Sequence, residues 1–257
     1  MNFFGSKVAA ERYVAGRPDF HANTIGHLKE MLGIDQKLPV ALDVACGTGL
    51  STKALLSVAD EVYGTDLSPE MLDRAYEKDK IRYIVAAAEN QPFEDEEFDL
   101  ITVSSAIHWF DIDAFLTEAR RILKTKGWLV IYENYFTGKM DGNDDFTNWV
   151  NEVYLTRFPS PPRNKNYGWS VENIRGKGFS INAPGEYENA ISFNKEQLIA
   201  YFTTQSNVIA AIDSGRLAYK EAEKWLAGEL RTYFESEAAA HVVYFGNRIK
   251  YLQKTTC

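Results

Sequence analysis

The chain has 257 residues, 45% of them apolar, enough for one large domain with a substantial core. Its 28 basic residues against 36 acidic ones give a net charge of −8, and no run of five like charges occurs, a balance that argues against an electrostatic grip on nucleic acid. No stretch approaches the roughly 18 apolar residues of a membrane span, and the first twenty residues lack the apolar core of a secretory signal, so the expectation is a cytoplasmic protein without a membrane partner.

The two cysteines, Cys46 and Cys257, supply neither a disulfide framework nor a thiolate zinc site. His21, His27, His108 and His241 are scattered without metal-ligand spacing, and no metal is expected.

Through the first half, strand-like apolar runs alternate with helical periodicity. "VALDVA" (40–45) predicts a strand rich in β-branched residues, followed by a glycine turn and a helix through Leu55 and Leu56. "EVYGTDL" (61–67) predicts a second strand. Ser68 then stands as an N-cap with Pro69 at the first helical position, and Met71, Leu72, Ala75 and Tyr76 mark one helical face. "RYIVAAA" (82–88), "FDLITVSSA" (98–106) and "GWLVIYENY" (127–135) predict three more strands. Ile112, Phe115, Leu116, Ala119 and Leu123 fall at helical spacing, predicting a covering helix from about Asp111 to Lys124. This βαβαβ order implies right-handed crossovers and a doubly wound, mostly parallel, Rossmann-like α/β sheet, expected to have seven strands.

Beyond residue 135 the pattern changes. Residues 136–185 are rich in proline, glycine and asparagine and carry no long periodicity, which reads as a lid or a loosely folded insert. "YENAISFN" (187–194) predicts a strand, and Asn194 with Gln197 a capped helix carrying Leu198, Ile199, Phe202 and Ile209. A helix over about 218–235 aligns Ala222, Trp225, Leu226, Leu230 and Phe234, and "AHVVYFGNRIKYLQK" (240–254) closes the chain as a strand. Without an internal repeat or a linker, the expectation is a single domain over 1–257, with helical cap segments at about 136–185 and 195–236 inserted in the C-terminal half over an acceptor site.

The chemistry is concentrated at "LDVACGTGLSTKAL" (42–55). Gly47 and Gly49 allow a sharp bend and a close approach of ligand to main chain. A dinucleotide fingerprint needs a further glycine or alanine where this chain has Thr52, and a P-loop needs a Gly-Lys-Ser/Thr ending that is missing. A nicotinamide oxidoreductase is therefore disfavoured. Asp66 ends the second strand, where a carboxylate accepts both hydrogen bonds of a ribose diol, and Asp43 is expected near a cationic or amino group. Together these suit a nucleoside with an amino-acid-like tail, as in S-adenosyl-L-methionine.

In "DVACGTG" (43–49), "GTDLSPEML" (64–72), "AAAENQPFEDEEFDLITVSSAIHWFD" (86–111) and "RILKTKGWLVI" (121–131), taken in order, the sequence resembles the class I S-adenosylmethionine-dependent methyltransferases over roughly residues 10–135. Tyr13, Arg17 and Pro18, with "HWFD", further resemble the small-molecule branch that contains trans-aconitate-type enzymes. The resemblance implies that Ala45, Gly47, Thr48 and Gly49 cradle the methionine part, that Asp66 and Leu67 hold the ribose, and that Met71 lies on the adenine ring. Ala87, Ala88 and Glu89 would border the adenine, with Ser104 at the end of the fourth strand completing the set. It also implies that Tyr13 and Arg17 bind the methionine carboxylate. Relatives often carry an aspartate where this chain has Ala87, so adenine would be held by Glu89 or by packing.

The sulfonium methyl is already electrophilic, so such a protein chiefly aligns an acceptor and excludes water. His108 is the candidate general base or hydrogen-bond donor, and Trp109, Arg163, Tyr167 and Trp169 are candidate acceptor or lid residues. The expected function is methyl transfer to a small-molecule acceptor, carboxylates included, with S-adenosyl-L-homocysteine as product, by a monomer or homodimer. The alternatives are an RNA or protein methyltransferase and a non-catalytic S-adenosylmethionine-binding protein. The acid excess speaks against RNA.

Overall fold

The computed structural model describes residues 16–76, 79–161, 167–182, 185–236 and 238–256. Along the chain run α1 (His21–Leu32), β1 (Leu38–Val44), α2 (Leu50–Leu55), β2 (Ala59–Asp66), α3 (Pro69–Leu72), β3 (Ile81–Val85), β4 (Phe98–Ser104), α4 (Ile112–Ile122), β5 (Leu123–Met140), α5 (Asp144–Trp149), α6 (Val171–Gly176), β6 (Phe179–Ile181), β7 (Gly185–Asn194), α7 (Lys195–Thr203), α8 (Ser206–Asp213), α9 (Tyr219–Leu230) and β8 (Ala240–Lys254). The sheet has eight strands in the order β3-β2-β1-β4-β5-β8-β6, with β7 paired to β8. Strands β1, β2, β3, β4 and β5 pair in parallel, and β6 pairs antiparallel to β8. The α/β, mostly parallel architecture is the one expected, with one strand more than anticipated.

The described residues divide into two compact units. One falls within Asp19–Asn134, Arg163–Tyr187 and Asn247–Cys257, the other within Met1–Pro18, Tyr135–Pro162 and Glu188–Gly246.

In the first unit the sheet is buried on both faces, as parallel sheets must be. Leu42, Val44, Ile101, Val103, Leu129 and Ile131 point to one side, where they pack with Phe115, Leu116, Ala119 and Ile122 of α4. Their alternating neighbours Ala41, Leu100, Val130 and Tyr132 point to the other, against Ile25 and Leu28 of α1 and Leu55 of α2. Helix α4 forms because its apolar residues recur along one stripe, and its start is fixed by Asp111, whose side chain accepts from the Ala114 N–H. Strand order reverses between β1 and β4, so the ends of these two strands open the crevice where α/β sheets bind ligands.

The second unit has an aromatic core. Phe202 lies 4.6 Å from Tyr154 and 5.4 Å from Phe136, Tyr201 lies 5.1 Å from Phe245, and Trp149 and Trp225 stack at 6.2 Å. The Asn194–Gln197 capping box forms as expected, each side chain accepting from the other's main-chain N–H at 2.8 and 2.9 Å. The expected single helix through Ile209 is instead two, α7 and α8. The Thr203 and Thr204 hydroxyls donate to the carbonyls of Ala200 and Tyr201, which draws the chain off the helical ladder at this point. Within 136–185 the expected irregular insert is partly ordered: β5 continues to Met140, α5 follows, and a π-helical stretch, Val150–Tyr154, adds a buried valine and tyrosine to the core.

Among the described residues no helix is long and apolar enough to cross a membrane, and no cluster of metal-ligating side chains occurs.

Candidate functional site

The strand ends of the first unit are stitched into one surface by main-chain bonds. Cys46 N–H donates to the Thr65 carbonyl at 2.9 Å, Ala86 N–H to the Asp66 carbonyl at 3.0 Å, and Ser105 N–H to the Tyr132 carbonyl at 2.8 Å. These bonds bring together the residues that follow β1, β2, β3 and β4. Three of the five residues 45–49 are left-handed: Ala45 at φ 56°, Gly47 at 56° and Gly49 at 77°. Ser105, which follows the neighbouring strand, has φ 53°. Two non-glycine residues held in this region at adjacent strand ends carry backbone strain of about 1 kcal/mol or more each, a feature that clusters at ligand sites.

The glycines are required partly by the protein itself. A Cβ on Gly49 would strike the Tyr83 hydroxyl, and one on Gly47 would press on Met71 Cε at 3.1 Å. Met71 is thus a buried prop under the turn, its N–H donating to the Ser68 hydroxyl that caps α3. Thr48 is buried, and its carbonyl accepts from Tyr76 N–H.

Asp66 lies where a ribose carboxylate is expected. One oxygen accepts from Gly47 N–H at 2.8 Å and the other from Ser68 N–H at 2.9 Å, which fixes the plane of the group. Burial raises its pKa, against the main-chain donors of Ser68, Gly47 and Leu67 that lower it. Beside it Leu67 is 68% exposed and Val85, its neighbour's partner across β2 and β3, is 54% exposed. Large apolar side chains are thus left open beside a half-buried carboxylate and a bare main-chain turn, the kind of surface on which small ligands settle.

Asp43 does something different from what its sequence position suggests. It is completely buried, and its carboxylate accepts from the hydroxyls of Ser51 at 2.6 Å, Thr52 at 2.8 Å and Thr102 at 2.9 Å. No described amino group reaches it. It ties β1 to α2 and β4, and burial pushes its pKa up to about 6 although the hydroxyls pull it down. Thr52, which breaks the dinucleotide pattern, is here a ligand of that carboxylate.

On the adenine side Ala88 is buried, and the Ala87 carbonyl accepts from Asn90 N–H and from Gln91 Nε2. Glu89 Oε1 accepts from Asp111 N–H at 2.9 Å, linking the loop after β3 to the start of α4. Ser104 is half-buried at the end of β4, where it pairs with Tyr132 of β5.

His108 lies in the short turn Ile107–Trp109 that follows β4. Its Nδ1 is sealed from solvent and faces Glu133 Oε1 at 3.6 Å, and its ring packs on Trp109 at 4.6 Å. Trp109 is 41% exposed. Glu133 is not among the residues the sequence reading expects at the site, although an acid closing the apolar run "WLVIY" is a visible signal.

Tyr167 donates its hydroxyl to Asp113 at 2.9 Å, and Lys177 pairs with the same carboxylate at 2.6 Å. Trp169 packs on Tyr167 and under the Lys250 ammonium at 5.2 Å. These two aromatics are therefore fastened to the first turn of α4. Arg17 belongs to the second unit, where its Nη2 donates to the Thr204 carbonyl at 2.9 Å and its guanidinium lies 5.5 Å over the Tyr201 ring. Tyr13 and Arg163 lie outside the described residues.

Residues 42–131 match a family described as a methyltransferase domain. A Dictyostelium discoideum protein named as a methyltransferase is 33% identical over 111 residues, 43% of this chain and 42% of that protein. The demethylmenaquinone methyltransferase of Thermotoga maritima is 42% identical over 109 residues, 38% of this chain and 48% of that enzyme. The chain thus spans about half the length of the curated relatives it matches. A solved structure from Anaeromyxobacter dehalogenans, described as a candidate type II methyltransferase, superposes with a TM-score of 0.71 at 19% identity, covering 93% of this chain and 97% of that one. A phosphoethanolamine N-methyltransferase of Haemonchus contortus, solved with S-adenosylhomocysteine, gives a TM-score of 0.56 at 16% identity over 99% of this chain and 60% of that one. Residues 42–131 therefore carry the sequence of a methyltransferase domain, on a fold shared with methyltransferase structures.

Proposed function

We propose that the protein is a class I S-adenosylmethionine-dependent methyltransferase acting on a small-molecule acceptor. The observation that carries the reading is the bond from Gly47 N–H to Asp66, which joins the left-handed turn after β1 to the carboxylate that ends β2, inside the segment that matches a methyltransferase domain. Asp66 would accept from the ribose hydroxyls, with Leu67 and Val85 against the adenine side and the loop Ala87–Glu89 at its edge. The main chain of Ala45, Gly47 and Gly49 would face the methionine part. The bound sulfonium supplies an electrophilic methyl group. What remains for the protein is to align the acceptor, exclude water and manage its proton.

The acid excess, net −8, favours a small acceptor over RNA, whose phosphates need a basic surface. Calorimetry with S-adenosyl-L-homocysteine tests the reading. One saturable site, lost in Asp66→Ala, supports it; binding of NAD in its place overturns it.

A further inference from the structure

We propose that Glu133 holds the His108 imidazole with its proton on Nδ1, leaving Nε2 as the base for an acceptor that must lose a proton when methylated: a phenol or comparable acidic O–H carried on an apolar body. This rests on the methyltransferase reading and names its acceptor class.

The geometry is specific. His108 follows β4, and Glu133 directly follows Tyr132, which pairs with Ser104 across β4 and β5. The two side chains therefore meet where β4 ends alongside β5, beside the crevice. His108 Nδ1 is sealed and has no hydrogen-bond partner closer than Glu133 Oε1 at 3.6 Å. A buried ring nitrogen beside a carboxylate is most stable as N–H, because a lone pair there would face negative charge. The side chain keeps 10% of its exposure. With Nδ1 sealed, that exposure belongs to the rest of the side chain, which carries Nε2. Trp109, packed on the imidazole and 41% exposed, offers an apolar face for the body of the acceptor.

The charges decide between acceptor classes. Glu133 is the charged group facing the ring from β5, and Glu89, from the loop after β3, is spent on the Asp111 N–H. Even with His108 protonated, the Glu133 carboxylate offsets its charge, so the pair by itself offers no net positive charge to a carboxylate acceptor. A carboxylate also needs no base. A neutral O–H acceptor needs one, and the pair provides it. In the reaction the acceptor oxygen forms a bond to the methyl carbon, the carbon–sulfur bond breaks with its electron pair going to sulfur, and the O–H proton passes to Nε2. The imidazolium so formed lies against Glu133 and releases the proton to water when product leaves.

The test uses the full chain, saturated with S-adenosyl-L-homocysteine, with calorimetry recording that ligand's affinity. Nitrogen-15 spectra of the histidine-labelled protein, assigned with His108→Asn, report the tautomer directly. The expected result is Nδ1–H in the wild type and a shift toward Nε2–H in Glu133→Gln, with product affinity within about twofold in both variants. Nε2–H in the wild type, or a tautomer indifferent to Glu133→Gln, overturns the role of Glu133. The acceptor class is read by mass spectrometry with S-adenosylmethionine and two probes of one size, 4-nitrophenol and 4-nitrobenzoate. Methyl on the phenol, reduced about 100-fold or more in His108→Asn, is expected. Methyl on the benzoate, or on neither probe, overturns the acceptor class. A wild type that fails to bind the homocysteine product overturns the methyltransferase reading itself, which separates the two failures.

Discussion

Replacing Asp43 by asparagine removes one titrating group at the heart of the turn. The carboxyl is fully buried and its pKa stands at about 6 against an ordinary 3.8, a rise caused first by desolvation and only partly offset by the Ser51, Thr52 and Thr102 hydroxyls. Because the folded value lies above the unfolded one, the native state holds this proton more tightly. Its contribution to stability is greatest below about pH 4 and falls away as the pH rises toward 6. The difference is worth about 3 kcal/mol at 1.36 kcal/mol per unit, and about 2 kcal/mol of it falls between about pH 4.5 and 7.5. The carboxamide of the Asp43→Asn variant does not titrate. Urea unfolding of both proteins across that range should show the variant gaining about 2 kcal/mol on the wild type as the pH rises, other groups cancelling in the difference. A difference constant within about 0.5 kcal/mol would refute the argument, and with it the idea that Asp43 works inside the turn as a buried acid.

Three further outcomes are expected. Asp66→Ala weakens S-adenosyl-L-homocysteine binding by about 1–3 kcal/mol through loss of a charge-assisted acceptor, and Asp66→Asn by less; calorimetry showing unchanged affinity in both removes the ribose role. Gly49→Ala, at φ 77° and against Tyr83, lowers stability by about 2 kcal/mol or more, and a melting temperature equal to wild type contradicts the packing described. Arg17→Ala removes the bond to the Thr204 carbonyl and the contact over the Tyr201 ring and lowers stability by about 1 kcal/mol; a urea midpoint equal to wild type contradicts those contacts.

Much of the first half is legible in the sequence because each signal is reinforced by a second one. Strand β4 is an apolar run followed by a helix whose stripe and Asp111 cap agree, and β1 runs into a turn whose positive-φ positions need glycine. The capping box at Asn194 is readable for the same reason. What escapes are features that depend on who meets whom. Thr52 reads as a defect in a nucleotide pattern, yet its hydroxyl serves Asp43 together with Thr102, 59 residues from that acid in sequence. Met71 is expected on the adenine ring, and its sequence position gives no sign that its Cε also lies against Gly47. Glu133 stays hidden because nothing near it in sequence hints at His108, whereas parallel pairing of β4 and β5 sets the two side by side. The ordered stretch after residue 140 is obscured because its core is aromatic and assembled from distant segments, which leaves no single clean periodicity.

The central claim is that an adenosyl thioether binds this turn with its ribose on Asp66. Titrating the purified wild-type chain with S-adenosyl-L-homocysteine in a calorimeter, followed by a crystal structure of the mixture, examines it directly. One site per chain, with the ribose hydroxyls on Asp66 and the thioether against residues 45–49, is the expected result. No heat and no rise in melting temperature at saturating concentration, or a ligand seated away from Asp66, would contradict it.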